Sequence, residues 1–398
     1  MKHWRRTLVG LISCAAVVAI AVGAWVYSLG PVPTGADLDV SHIVIGRDGH
    51  LLRAYATKEG RWRLPATPKD VDPRYLRILF AYEDSHFYQH DGVDPLALAR
   101  AAWQLITHRA IVSGGSTLTM QVARLLEPRR RRSFYAKARQ IVRALELERK
   151  LSKEKILSLY LTSAPYGGNL EGIRAASLAY FGKEPKKLTL AEAALLVALP
   201  QSPELRRPDR HAIAARTARD MVLDRVSEAG AIPPDEAARA KLESVPQGRI
   251  ELPALAPHAS DEIISAEPTV RVHHLTIDAH LQRELEALAR ERARALGPRM
   301  SVAILAVDNA TREVRARVAS ADYFDLSRAG QVDMTQALRS PGSTLKPFIY
   351  GLGFEDGLIH PETLIDDRPI RFGGYKPENF DLSFQGTVTV RRALQFSL

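Results

Sequence analysis

Residues 8–29 form an uninterrupted run of 22 uncharged residues, and nothing else narrows the folding options of this chain as much. Backbone in hydrocarbon must satisfy its own hydrogen bonds, so such a run predicts one membrane-spanning helix over 7–30. Lys2, Arg5 and Arg6 precede it, which places residues 1–6 in the cytoplasm and everything after Gly30 outside. Trp25 and Tyr27 stand where an interfacial aromatic belt is expected. Leu11-Ile12-Ser13-Cys14 has the letters of a lipoprotein cleavage box, but the apolar run continues well beyond it. The run is also longer than the ~7–15 residues of a cleavable signal. Cys14 is the single cysteine, so no internal disulfide forms and stability rests on packing.

The 398 residues leave room for two or three domains. A net charge of +10 suits an anionic membrane surface and an anionic lipid substrate. Nucleic acid is the generic alternative, and the outward-facing span argues against it. Residues 31–70 hold a short hairpin, with strands near 43–45 and 51–55 joined by Arg47-Asp48-Gly49. From 71 to 244 the apolar spacing is mostly helical. Within it, 96–112 is greasier than a surface helix, which fits either a core helix or a segment that dips into the membrane. Residues 245–270 hold four prolines and read as a linker. Beyond them, 301–307 and 313–318 alternate like two strands after an Ala/Glu/Arg-rich helix, so 271–398 reads as an α/β domain.

Two runs carry the chemistry. Glu83-Asp84-Ser85-His86-Phe87-Tyr88-Gln89-His90-Asp91-Gly92-Val93-Asp94 sets acids beside aromatics and histidines. Gly114-Gly115-Ser116-Thr117 then opens a helix, a backbone that presents free N–H groups to an anion. A base and an anion-binding loop point to proton removal beside a phosphorylated substrate. Glu83 is the base candidate, with Asp84 as a like charge that would raise its pKa. The plainer reading is an acidic pair stabilised in the first turn of a helix. His86 and His90, four apart, are weighed as a metal pair, but no third ligand follows at useful spacing. Thr117, Gln121 and Arg124 fall at i, i+4 and i+7 on one helix face. Lys137 and Gln140 follow in a basic stretch that also holds 129–132, Arg139 and Arg143, read mostly as a solvated or headgroup-facing surface.

Both runs resemble, nearly letter for letter, signatures of the family 51 peptidoglycan glycosyltransferases. Leu161-Thr162-Ser163-Ala164-Pro165-Tyr166-Gly167-Gly168-Asn169-Leu170-Glu171-Gly172, Tyr180-Phe181-Gly182-Lys183, Glu192-Ala193-Ala194-Leu195-Leu196 and Arg206-Arg207-Pro208-Asp209-Arg210 extend the match. Together they are similar to the 1C-type class A (bifunctional) penicillin-binding proteins over essentially the whole chain. The resemblance implies a mainly-α, lysozyme-like domain that polymerises lipid II into glycan strands. Glu83 would then be the general base, with Asp84, Phe87, His90, Ser116, Thr117, Gln121, Arg124, Lys137 and Gln140 binding substrate. The chain departs from the family pattern at Gln140, where a second carboxylate is usual, and at Ala136, where Arg is usual. A divalent ion, Mg²⁺ or Mn²⁺, at the pyrophosphate is thereby put in doubt, because a neutral amide is a poorer ligand than a carboxylate. No metal-binding residue is assigned.

Ser340-Pro341-Gly342-Ser343-Thr344-Leu345-Lys346-Pro347 contains Ser-x-x-Lys. On a helix Ser343 and Lys346 share a face, so the amine can take the hydroxyl proton during acyl attack. The run resembles the penicillin-sensitive transpeptidases, with Ser397 at the Ser-x-Asn position and no Lys-Thr-Gly after it. The expectation is a multidomain protein of the bacterial inner membrane with a truncated, incomplete β-lactamase-like transpeptidase domain. β-Lactams would be ligands of a fuller version. A lytic enzyme on a lysozyme-like fold and a non-catalytic scaffold are the alternatives. A neutral glycan, however, needs neither a basic groove nor a lipid-side apolar segment.

Overall fold

The computed structural model describes residues 2–108, 115–127, 133–379 and 382–398, and for 2–12, 14, 15, 101, 102, 104–106 and 108 the backbone alone. Gly114, part of the greasy segment and the basic run 129–132 thus lie outside the described residues. The chain divides into two compact units, Met1–Thr335 and Gln336–Leu398.

The first unit opens with α1 (Lys2–Ser28), which covers most of the uncharged run. Among the described residues no helix is long and apolar enough to cross a membrane, and many side chains of α1 are outside that description. Strands β1 (Ile43–Ile45) and β2 (Leu51–Ala54) form the expected hairpin. A third strand, far along the chain, completes the sheet, and both its faces are covered. Val44 packs with Leu52, Leu255 and Ile277, while Ile43 and Ile45 face the main core. A strand buried on both faces reads as continuous apolar residues, as Ile43-Val44-Ile45 does.

After β3 (Trp62–Arg63), α2 (Pro73–Glu83) starts at an Asp72 cap that accepts the Arg74 N–H, with Pro73 pre-set for the first turn. Helix α3 (Pro95–His108) exposes Leu96 and Trp103, so its described side chains are not those of a core helix. Thr117 caps α4 (Leu118–Leu126), Ser133 caps α5 (Phe134–Lys150) and Ser152 caps α6 (Lys153–Ser163). Strand β4 (Leu170–Glu171) pairs with β3 in parallel, and α7 (Ile173–Phe181) ends at Gly182 in the left-handed conformation. A Thr189–Glu192 capping box starts α8 (Leu190–Ala198). This helix is apolar nearly all round and is correspondingly buried at the centre of the unit. Helices α9 (Ala212–Glu228) and α10 (Pro234–Leu242) close over it.

The segment 245–270, expected as a linker, is structured. Leu255 N–H bonds the Leu52 carbonyl at 2.8 Å, and α11 (Pro257–Ala266) carries Asp261 against Arg53, Tyr55 and Tyr323. Its prolines did not prevent this, because Pro257 sits in the first helical turn, where no N–H is needed. Strand β5 (Val272–His274) then joins β1 in parallel. Asp278 caps α12 (Ala279–Leu296), and β6 (Ile304–Val307) pairs antiparallel with β7 (Val314–Val318) as expected. Because of these contacts the chain divides at 335 rather than at 245–270, and the division falls inside the expected second domain.

In the second unit, α13 (Lys346–Glu355) is followed by an antiparallel pair, β8 (Leu364–Asp367) and β9 (Gly386–Thr389), and by α14 (Val390–Phe396).

Gly92 has a specific steric duty in the first unit. Its φ is +91°, and a Cβ there would lie 2.7 Å from the Ala144 carbonyl oxygen of α5. Gly92→Ala is expected to cost about 2 kcal/mol or more, read as a fall of roughly 4–8 °C in thermal midpoint. An unchanged midpoint would mean that this loop is not held against α5.

Candidate active site

Glu83 is the last residue of α2 and borders a cleft of about 1140 Å³. Its Oε2 accepts the Gln121 amide at 2.8 Å, and its Oε1 accepts the Gln201 amide at 2.8 Å. The acidic pair lies at the C-terminal end of its helix, not in a first turn. The macrodipole opposes negative charge there, so helix stability does not account for the two carboxylates.

Asp84 differs from expectation. Its buried carboxylate accepts the His90 Nε2–H at 3.0 and 3.1 Å and the Leu118 backbone N–H at 2.9 Å. His90 Nδ1 accepts the Gly92 N–H at 3.0 Å, which assigns the ring proton to Nε2. Thr117 accepts from Met120 N–H at 3.1 Å and donates to the Gly92 carbonyl at 2.6 Å. Phe87 is buried, stacked on Phe80 with centroids 5.5 Å apart. Asp84, Phe87, His90 and Thr117, all expected to touch substrate, therefore build the joint between α2 and α4. Buried polar groups need partners; here Asp84 and His90 supply each other's, and Thr117 takes its own from the Gly92 and Met120 backbone. Asp84 is thus engaged by this joint. His86 pairs with Asp94 at 3.0 Å, so the two histidines engage separate carboxylates.

Ser116, Gln121, Arg124 and Gln140 do line the cleft. Thr117 leaves the predicted face because an N-cap side chain folds back on the helix end. The Lys137 ammonium donates to the Ser116 hydroxyl. Burial first, and then the charge of Arg124, lower the Lys137 pKa. Lys137 and Gln140 sit three apart on α5, on neighbouring positions of one face. A half-buried ammonium beside a guanidinium is an electrostatic environment that an incoming anion relieves.

The basic stretch is not all solvated surface. Arg143 is 1% exposed. It pairs with Glu127 and Glu146 and donates to the carbonyls of Leu29 (2.6 Å) and Gly30 (3.1 Å) just beyond α1. Arg139 pairs with Glu127 at 2.7 Å. Arg143 thus ties the residues just beyond α1 to α5.

Glu83 and Gln140 do not by themselves make a cage for a divalent cation. Mg²⁺ is usually held by one or two carboxylates together with substrate phosphates. Here Glu83 supplies one carboxylate, each oxygen of which accepts one amide donor, and Gln140 supplies only a neutral amide. Among the described residues no group of three His, Cys, Asp or Glu side chains is arranged to hold a metal.

Nothing in the sequence marks Gln201 as a partner of Glu83, or Arg206 as a partner of Gln201. Gln201 ends the short turn Leu199–Gln201 directly after α8. Its only signal is that it lies between Pro200 and Pro203, and a lone glutamine between prolines says nothing about a partner 118 residues away.

In the second unit, Ser343 lies in the turn Gly342–Leu345, Lys346 begins α13, and Pro347 falls in the first turn, as the spacing predicts. Lys346 Nζ donates to the Ser397 hydroxyl at 3.2 Å and to the Leu398 carbonyl at 3.0 Å. The fold thus joins Lys346 to Ser397. Ser343 is exposed; the Lys346 backbone N–H bonds the Ser343 carbonyl, and among the described residues no side-chain hydrogen bond joins the two.

Residues 48–227 match the transglycosylase family, and residues 302–398 match the penicillin binding protein transpeptidase domain. Penicillin-binding protein 1C of Escherichia coli (strain K12) is 45% identical over 385 residues, 96% of this chain and 50% of its own length. Penicillin-binding proteins 1F and 2D of Bacillus subtilis (strain 168) are 29% and 30% identical, over 90% and 98% of this chain and 52% and 59% of their lengths. The chain spans about half the length of these curated relatives.

Proposed function

The chain belongs to the class A penicillin-binding proteins, and we propose that its helical domain is a peptidoglycan glycosyltransferase that polymerises lipid II. One observation carries this reading. The Glu83 carboxylate is held by two amides at the edge of a large cleft that also presents Arg124 and Lys137-backed Ser116. Glu83 removes the proton from the acceptor hydroxyl. Lys137 and Arg124 offset the charge that develops on the undecaprenyl pyrophosphate leaving group. No general acid is required, because pyrophosphate leaves as an anion.

Helix α1 is the single-pass anchor in the bacterial inner membrane, with the N-terminus cytoplasmic and both catalytic units outside. The sequence run and its flanking positive charges support this assignment. The exposed Leu96 and Trp103 of α3 meet the lipid tail or the bilayer. In the second unit, Ser343 is the acyl-accepting nucleophile of a DD-transpeptidase and, in a fuller version of the chain, the target of β-lactams. Lys346 is its base, and Ser397 lies within reach of that base.

Incubating the purified protein with lipid-linked disaccharide tests the reading. Polymer is expected. Shortening of added glycan would favour a lytic enzyme, and no change would favour a scaffold. The Gln140 departure gives a sharper prediction. Gln140→Glu is expected to make polymerisation more dependent on Mg²⁺ or Mn²⁺ than it is in the natural chain, because it restores a carboxylate ligand. Equal chelator sensitivity in both proteins would place any metal elsewhere.

A further inference from the structure

We propose that Gln201 is a positioning residue that holds the Glu83 carboxylate in the orientation needed to receive the acceptor proton, with Arg206 setting the direction of the Gln201 amide. The proposal rests on the reading of Glu83 as the base. A single hydrogen bond from Gln121 to Oε2 leaves a carboxylate free to swing about that contact. Gln201 restrains the other oxygen at 2.8 Å, and the two amides together define the plane of the group. A carboxylate has about four lone-pair sites, so two donors leave one site on each oxygen for the acceptor hydroxyl.

An amide side chain has a donor end and an acceptor end, and its neighbours decide which faces where. Gln201 Oε1 accepts Arg206 Nη1 at 3.1 Å, which turns Nε2 toward Glu83. The same Nη1 donates to the Ala198 carbonyl at 2.7 Å. The guanidinium is thereby moored to the end of α8, the buried helix at the centre of the unit. Contacts run from that rigid helix through Arg206 and Gln201 to the base. Gln201 itself is exposed, so core packing does not explain its pairing.

Steady-state polymerisation of lipid-linked disaccharide by Gln201→Met tests this, since the substitution keeps length and removes both hydrogen bonds. The expected result is a fall in kcat of about 10–100-fold, with KM changed by less than about twofold and an unaltered thermal midpoint. In a Glu83→Gln background the same substitution should leave the residual rate unchanged, because there is no carboxylate left to position. A kcat equal to that of the natural chain overturns the proposal. So does a rise in KM at constant kcat, which would make Gln201 a substrate-binding group, or an equal loss in both backgrounds. The base assignment fails separately, if Glu83→Gln alone retains the natural rate.

Discussion

Glu83→Gln is expected to slow glycan polymerisation by about 10²–10⁴-fold in a protein that still folds. The amide has nearly the size of the carboxylate but cannot take a proton from the acceptor hydroxyl. It also meets Gln121 and Gln201, both of which donate to Glu83 in the natural chain. One of those contacts becomes donor against donor, a local mismatch of about 1–3 kcal/mol. Glu83 is half-buried at the cleft edge, where water or a turned amide relieves part of that cost. Thermal unfolding should therefore show a modest change, while polymer yield collapses. A folded variant with a near-natural rate would remove Glu83 from the role of base.

Lys137→Ala is expected to lower kcat by about 10²–10³-fold, with a smaller effect on acceptor binding. The ammonium lies where leaving-group charge grows, so its contribution is larger in the transition state than in the ground state. A change confined to KM would show that Lys137 only helps substrates bind. The pH dependence adds a check. Burial, with Arg124 adding to it, depresses the Lys137 pKa. The charged form is therefore lost as pH rises through a value below that of an ordinary lysine, and activity should fall on that alkaline side. Lys137→Arg keeps its charge to higher pH and should move the limb upward, even if its different shape lowers the maximum rate.

The scaffold and the substrate-facing residues were harder to separate in sequence than the elements themselves. Within one twelve-residue run, Glu83 faces the cleft while Asp84, Phe87 and His90 turn inward. Adjacent residues at a helix end point in divergent directions, and periodicity ceases to apply once the helix stops. Asp84 sits at the cap of α2 with φ −163° and ψ 80°, outside any repeating geometry. The helix face of Thr117, Gln121 and Arg124 was right for two members. It failed at Thr117, where capping competes with the side-chain direction of a helical residue. Arg143 looked like surface because arginine usually is, and only the carbonyls of Leu29 and Gly30 explain why it is buried.

What the sequence determined by itself was local. Pro73 after Asp72, Thr189 three residues before Glu192, and Asp278 before a helical run each mark a helix start by the hydrogen bonds available within one turn. The same short range placed Ser343 and Lys346 three residues apart at the start of α13. The signatures around Glu83 and Ser116 named the family and the kind of chemistry. Tertiary structure alone decided which partners those residues meet. It brought Gln201 to Glu83, Arg143 to the end of α1, β5 to β1, and the proline-rich segment 245–270 against the hairpin. These pairings join residues from 113 positions apart, for Arg143 with Gly30, to more than 200, for Leu255 with Leu52 and Ile43 with Val272. Contacts at that range depend on how the whole core closes, and burial then forces each polar group onto whatever partner the closed core supplies.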